Sequence, residues 1–221
     1  MQDRASLTES AYNRIKSEIM ENRIPSGFQC TETELAERFD ISRTPIHEAL
    51  VRLAQERLIE VKPRHGMRVL PISVDDLRDI YGLLFVLEPE CASALARQGL
   101  SGNQIAQLRA AADAMRDAIV TGNLDAWAAA DNQFHRLQLA YLRNRRLADI
   151  IGLLLDQAHR VRMFTLRFRA LPVRSTEEHA EMVSLLEEGD ADGLASLFRR
   201  HRETAARELF DILERYDLKY L

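Results

Sequence analysis

The segment from Thr31 to Leu70 constrains the chain most, because its cap and turn signals leave room only for two short helices and a hairpin. Thr31-Glu32-Thr33-Glu34 reads as a capping box, in which a hydroxyl accepts from an orphan amide and a Glu three residues on returns the bond. It opens a helix through Leu35, Ala36 and Phe39. Asp40-Ile41-Ser42 is a tight turn, and Ser42 is placed to cap a second helix whose first turn holds Arg43, Thr44 and Pro45. Proline is tolerated there because first-turn N–H groups have no intrahelical acceptor. Ile46, Leu50 and Leu53 form the buried stripe of that helix. Residues 58–62 and 67–70 then read as strands on either side of Pro63-Arg64-His65-Gly66. Helix, turn, helix and basic β-wing is an arrangement that fits a DNA duplex.

The net charge of -4 is the wrong sign for such a partner until it is divided along the chain. Residues 1–70 hold eleven basic and eleven acidic side chains, so the acidic excess lies wholly in 71–221. Within 43–68 six basic side chains face three acidic ones, with His47 and His65 besides. A local basic surface suffices, because phosphate contacts act at short range in salt. The acidic remainder discourages indiscriminate binding to nucleic acid. With 221 residues the chain can bury one large core or two small ones. It has no run of eighteen apolar residues and no signal-peptide pattern, so the expectation is a cytoplasmic protein without a membrane partner. Cys30 and Cys91 lie far apart with no CxxC, and both read as small buried hydrophobes.

Upstream of the motif, residues 8–21 carry Tyr12, Ile15 and Ile19 at helical spacing, a first helix that packs behind the reading pair. Pro71-Ile72-Ser73 reads as a joint, which divides the chain into a winged helix-turn-helix over 1–70 and a second domain over 71–221. Beyond the joint helices are expected at 74–98, 102–121, 124–143, 146–170, 176–188 and 191–216, with Ser175 to Glu178 as another capping box. The fold class is therefore mainly α, a small winged head followed by an all-α bundle.

Polar residues fall where that bundle needs a core. Asp131 and His135 lie four apart on one helix, which stacks a carboxylate and an imidazole on adjacent turns. His179 shares its helix's apolar face with Met182, Val183 and Leu186, and His201 sits among Leu194, Leu197, Phe198 and Leu209. Burying such groups unpaired is costly. A divalent transition metal would satisfy all four at once, Zn first, with Ni or Mn as alternatives. The simpler reading makes each histidine a hydrogen-bonded core residue. Trp127 and Phe134 read as core.

The head resembles the GntR family of bacterial transcription regulators. The likeness rests on Glu34-Leu35-Ala36, the run Ser42-Arg43-Thr44-Pro45-Ile46-His47-Glu48-Ala49-Leu50, Arg52-Leu53 and Gly66. Two departures stand out: His47 replaces the family's usual Arg, and Arg57 replaces the glycine that usually ends the recognition helix. Residues 73–216 resemble the FCD effector domain of the FadR subfamily, through Leu87-Glu88-Pro89, Asp131 to His135, Asn144 with Leu147, Glu178-His179, Gly189-Asp190 and His201. That resemblance implies a metal held by Asp131, His135, His179 and His201 at the floor of a ligand cavity. It also implies a homodimer. The family's frequent cavity Arg, four residues before Glu88, is Leu84 here. Arg162 and Gln138 on inward-looking faces are substitute effector contacts, although covering the surface is the simpler role for Arg162.

The expected function is a metabolite-responsive transcription regulator that binds a pseudo-palindromic operator; the family resemblance implies a repressor and makes release by the ligand the commoner outcome, with promotion of binding the open alternative. The effector is expected to be an organic or sugar acid. Arg43 is the foremost base contact, since its fork can bond O6 and N7 of guanine. Ser42, Thr44 and Thr33 suit phosphate oxygens, and His47 can reach a base or a phosphate. Arg64, His65 and Arg68 flank Gly66 on a wing that enters the minor groove or tracks phosphates. Arg52 reads as a support of the helix. The competing class, a metal-dependent hydrolase or oxygenase on a helical bundle, lacks an HExxH, a nucleophile elbow and paired Glu-x-x-His motifs, so no enzyme is expected.

Overall fold

The computed structural model of the chain describes residues 4–62 and 66–220. The described part divides into two compact units, the first ending at Ser73 and the second spanning Val74–Lys219.

In the first unit α1 (Arg4–Met20) is followed by β1 (Gln29–Cys30), α2 (Glu32–Phe39), α3 (Arg43–Gln55), β2 (Ile59–Lys62) and β3 (Gly66–Val69). The Thr31 capping box forms as expected: the Glu34 amide donates to the Thr31 hydroxyl, and the Thr31 amide donates to the Glu34 carboxylate at 2.7 Å. Asp40 ends α2 in the left-handed region (φ 53°). Ser42 is the N-cap of α3 by backbone conformation, but its side chain makes no capping bond, which leaves the hydroxyl at the surface. Ile15, Ile19, Leu35, Ile46, Leu50, Leu53, Leu58 and Met67 close one core. The sheet has three antiparallel strands in the order β1-β3-β2, so the expected hairpin gains a third strand. Two residues are too short a run for alternation to show.

Two backbone positions in this unit are special. Arg57 takes φ 58°, the left-handed conformation that glycine supplies without strain. Gly66 takes φ 80°, and a Cβ there would fall 2.1 Å from the Cys30 carbonyl oxygen and 2.5 Å from Thr31 Cα. Those neighbours are backbone, and they cannot swing away.

The second unit is all helical: α4 (Val74–Gln98), α5 (Gly102–Thr121), α6 (Leu124–Tyr141), α7 (Arg145–Thr165), a 3-10 turn at Leu166–Phe168, α8 (Val173–Glu188) and α9 (Ala191–Arg215). The five long helices α4, α5, α6, α7 and α9 start where periodicity puts them, to within a residue. α7 stops at Thr165 rather than running to 170, and α8 begins at Val173 rather than 176. Pro172 is the N-cap, and its carbonyl accepts from the Thr176 amide at 3.0 Å, so Ser175 lies inside the first turn and makes no capping box. α4 lies chiefly along α9, while α5 packs on α6 and α8. A fully buried ion pair ties α9 to α4: Arg202 Nε and Nη2 donate to the two Glu88 carboxylate oxygens, each at 2.5 Å. Cys30 and Cys91 are free and buried, and burial pushes their thiols up to about 11 and about 12. Among the described residues no helix is long and apolar enough to cross a membrane.

The substitution Gly66→Ala is expected to destabilise the protein by on the order of 2 kcal/mol. Arg57→Gly should stabilise it by about 1 kcal/mol. Urea denaturation checks both, and an unchanged midpoint for Gly66→Ala would contradict the close approach to Cys30.

Candidate metal centre and DNA-reading face

α6, α8 and α9 each turn a histidine inward, and one ring nitrogen of each of His135, His179 and His201 lies within 4.8 Å of the others. All three are buried. The His179 Nδ1–H donates to the Ser175 carbonyl at 2.6 Å, a bond possible because residue 175 sits one turn earlier in α8. That bond fixes the tautomer and leaves Nε2 with its lone pair facing the cluster. The His201 Nδ1–H likewise meets the Glu178 carboxylate at 2.6 Å. Gln138 adjoins His135 and partly opposes the lowering of its pKa by burial. The Nε2 atoms of His135 and His179 are buried and have no hydrogen-bond partner among the described residues.

Asp131 adjoins this group. Its Oδ1 lies 3.5 Å from His179 Nε2 and 3.8 Å from His135 Nε2, too far for hydrogen bonds. Donor atoms at about 2.0–2.1 Å from a shared tetrahedral centre lie roughly 3.3 Å apart, close to those spacings. Asp131 Oδ2 accepts from Arg162, so the carboxylate divides between the cluster and a cation. Arg162 is buried rather than spread over the surface; burial pushes its pKa down to about 10, which leaves it charged at neutral pH.

Burial, followed by the positive field of Arg202, holds the pKa of His135 and of His201 well below the ordinary imidazole value. For His179 burial comes first and His201 second. Neutral imidazoles are the form a metal requires. The residues present therefore fit a divalent ion: unpaired lone pairs, neutral rings and a carboxylate at ligand spacing.

Beside the cluster opens a cavity of about 320 Å³. Asp131, Arg162, Glu178, His201 and Arg202 line it together with the strap between α7 and α8. Trp127 lines it too, while its indole N–H donates to the Thr176 hydroxyl at 2.8 Å. Gln138 is not among the lining residues; it borders a separate small void with Glu88, Cys91 and His135. Leu84 is buried outside the cavity lining. Sequence reasoning missed the Arg202–Glu88 pair and the bond from Glu178 to His201. The only signal was that Arg202 and Glu178 each adjoin a predicted ligand in the chain.

On the first unit Thr33, Ser42, Arg43, Thr44 and His47 are all exposed, and the last four share the open face of the α3 N-terminus. Glu32 sits behind this face: His47 Nδ1 lies 2.7 Å from its carboxylate and Arg43 Nη2 4.0 Å. Arg68 points away from the core between the inward Met67 and Val69. Arg64 and His65 lie outside the described residues. Arg52 lies partly exposed against α1, donating to Glu9 at 2.6 Å with its guanidinium 3.8 Å from the Tyr12 ring centroid.

Residues 7–69 match the model for bacterial regulatory proteins of the gntR family, and residues 79–204 match the FCD domain. This chain is a GntR-family transcriptional regulator with an FCD domain. It is 28% identical over 208 residues to the HTH-type transcriptional repressor RspR of Escherichia coli K12, covering 93% of this chain and 90% of that protein. A stretch of 138 residues is 36% identical to an HTH-type regulator of Agrobacterium vitis, 62% of this chain and 81% of that one. The fold is shared with E. coli McbR/YncC, at a TM-score of 0.82 and 20% identity, with 93% and 98% of the two chains covered. These comparisons give the hydrolase or oxygenase alternative no support.

The histidine cluster makes the regulator acid-sensitive. Below pH 6.5 the unfolded chain takes up protons that the folded chain refuses, so stability is whole above that pH and falls as pH decreases. The slope is about 1.4 kcal/mol per pH unit for each such histidine. Urea midpoints of metal-free protein should therefore drop between pH 7.5 and 5.5, and equal midpoints would contradict neutral burial.

Proposed function

We propose that this GntR regulator is a homodimeric, cytoplasmic repressor whose grip on a pseudo-palindromic operator is loosened by a small carboxylate bound beside a metal in the FCD domain. The observation that carries the sensing half is the pair of buried, unpartnered Nε2 atoms that converge beside a cavity lined by Arg162 and Arg202. His135, His179, His201 and Asp131 would hold the ion, with Zn suited to this donor set and Ni or Mn as alternatives. When bound, the ion supplies open positions for a carboxylate or hydroxyl oxygen of the effector. Arg162, already desolvated, is placed to take a carboxylate oxygen, and its bond to Asp131 keeps its charge beside the ligands.

In the DNA-reading half, Arg43 bonds guanine, while Ser42, Thr44, Thr33 and the amides of the α3 N-terminus hold phosphates. His47, Arg68 and the wing residues Arg64, His65 and Gly66 complete the footprint. Two copies of the head suit two half-sites about one helical turn apart. The resemblance of RspR, a named repressor, supports the direction of control. Leu83 and Val86 of α4 and Ile150 and Leu153 of α7 stay exposed in the single chain, and these helices pack side by side. That face is the one a second copy would cover. Control requires the effector to bind unequally to the operator-bound and free states, since coupling is reciprocal.

Changing Arg43 to Ala should cost about 1–3 kcal/mol at the operator and less on random DNA. Equal losses in titrated gel shifts would reduce Arg43 to a phosphate contact. The double variant His179→Ala/His201→Ala should lose the roughly one divalent ion per chain found in the parent, together with the response to organic acids. A metal content unchanged in that variant would refute the ligand set.

A further inference from the structure

One guanidinium donor on the cavity wall is left without an acceptor among the described residues. Arg162 is bonded to Asp131, and Arg202 is bonded to Glu88 in a bidentate pair. Arg174 lies 3.5 Å from Glu178 and 3.8 Å from Glu208. Arg169, on the strap that follows the 3-10 turn, lines the same cavity and is half-buried. Its Nε is shut off from solvent, without a hydrogen-bond partner among the described residues. Glu208, whose field reaches it, is already engaged by Arg174. Arg162 and Arg169 are close enough to repel one another. A desolvated guanidinium donor with no acceptor is a costly arrangement that a protein keeps where something else supplies the acceptor.

We infer that Arg169 is a second anion-binding point, and that the effector is a short molecule with an anionic group at each end. This rests on the carboxylate reading of the cavity given above. One end lies against Arg162 and the histidine cluster; the other is received by the fork of Arg169, whose planar donors match a carboxylate or a phosphate. The open cavity of about 320 Å³ has room for a small acid with two charged ends. An uncharged sugar would leave Arg169 unanswered.

The test titrates the full chain, loaded with Zn, against butyrate, succinate, glutarate, adipate and 3-phosphoglycerate, with melting temperature as the readout. At least one two-ended acid should bind about tenfold tighter than butyrate. Arg169→Gln should erase that preference while changing the butyrate Kd far less than that of the two-ended acids, and Arg169→Lys should retain part of it. Whichever of the diacids and the phospho acid binds tighter identifies the chemistry of the second group. If Arg169→Gln weakens butyrate and the two-ended acids alike, or if the parent shows no preference between them, the second anion point is refuted and the carboxylate reading stands. If no acid shifts the melting of the Zn-loaded protein, the carboxylate reading falls and this inference with it.

Discussion

Imidazoles buried away from water need a partner for every ring nitrogen, and that requirement organises the helical unit. Two outer nitrogens have one: the Nδ1–H groups of His179 and His201 donate to Ser175 and Glu178. The inner Nε2 atoms of His135 and His179 have none among the described residues, and they converge from different helices. A core assembled only for stability would fill this place with apolar side chains, because lone pairs without donors cost free energy and contribute none. Local rules are broken here in a way that a bound ion repairs, as is usual where a fold carries function.

The charges around the cluster follow from the same constraint. Arginines at the cavity wall would repel an imidazolium, so their field and the burial act together to keep the rings neutral. Asp131 and Glu88 hold two of those arginines in place beside the histidines. The head divides its labour differently: the side chains at the start of α3 are exposed, in the place proposed to meet the duplex, while Arg52, turned onto Tyr12 and Glu9, braces the helix.

Most of the head was legible because its signals are local. The capping box at Thr31, the Asp40 turn and the stripe of Ile46, Leu50 and Leu53 each need fewer than ten residues to read. The histidines were legible for a related reason: helical spacing alone puts His179 and His201 on apolar faces. Gly66 was singled out as part of the wing, and the structure adds the reason it must be glycine, the backbone of Cys30 and Thr31 against it. What spacing cannot supply is pairing across the fold. Arg202 and Glu88 are 114 positions apart, and Arg162 meets Asp131 only because α7 crosses α6. Short elements escaped too, since β1 has two residues and the start of α8 turns on one proline, Pro172. Arg169 gave no signal at all in an irregular strap.

The central claim is that three histidines and Asp131 share one ion. X-ray absorption at the metal edge, on protein purified with Zn, reads the ligand shell directly. Three imidazole nitrogens and one or more oxygens at about 2.0–2.1 Å are expected. A shell containing sulfur, or one built of oxygens with fewer than three imidazoles, would contradict it.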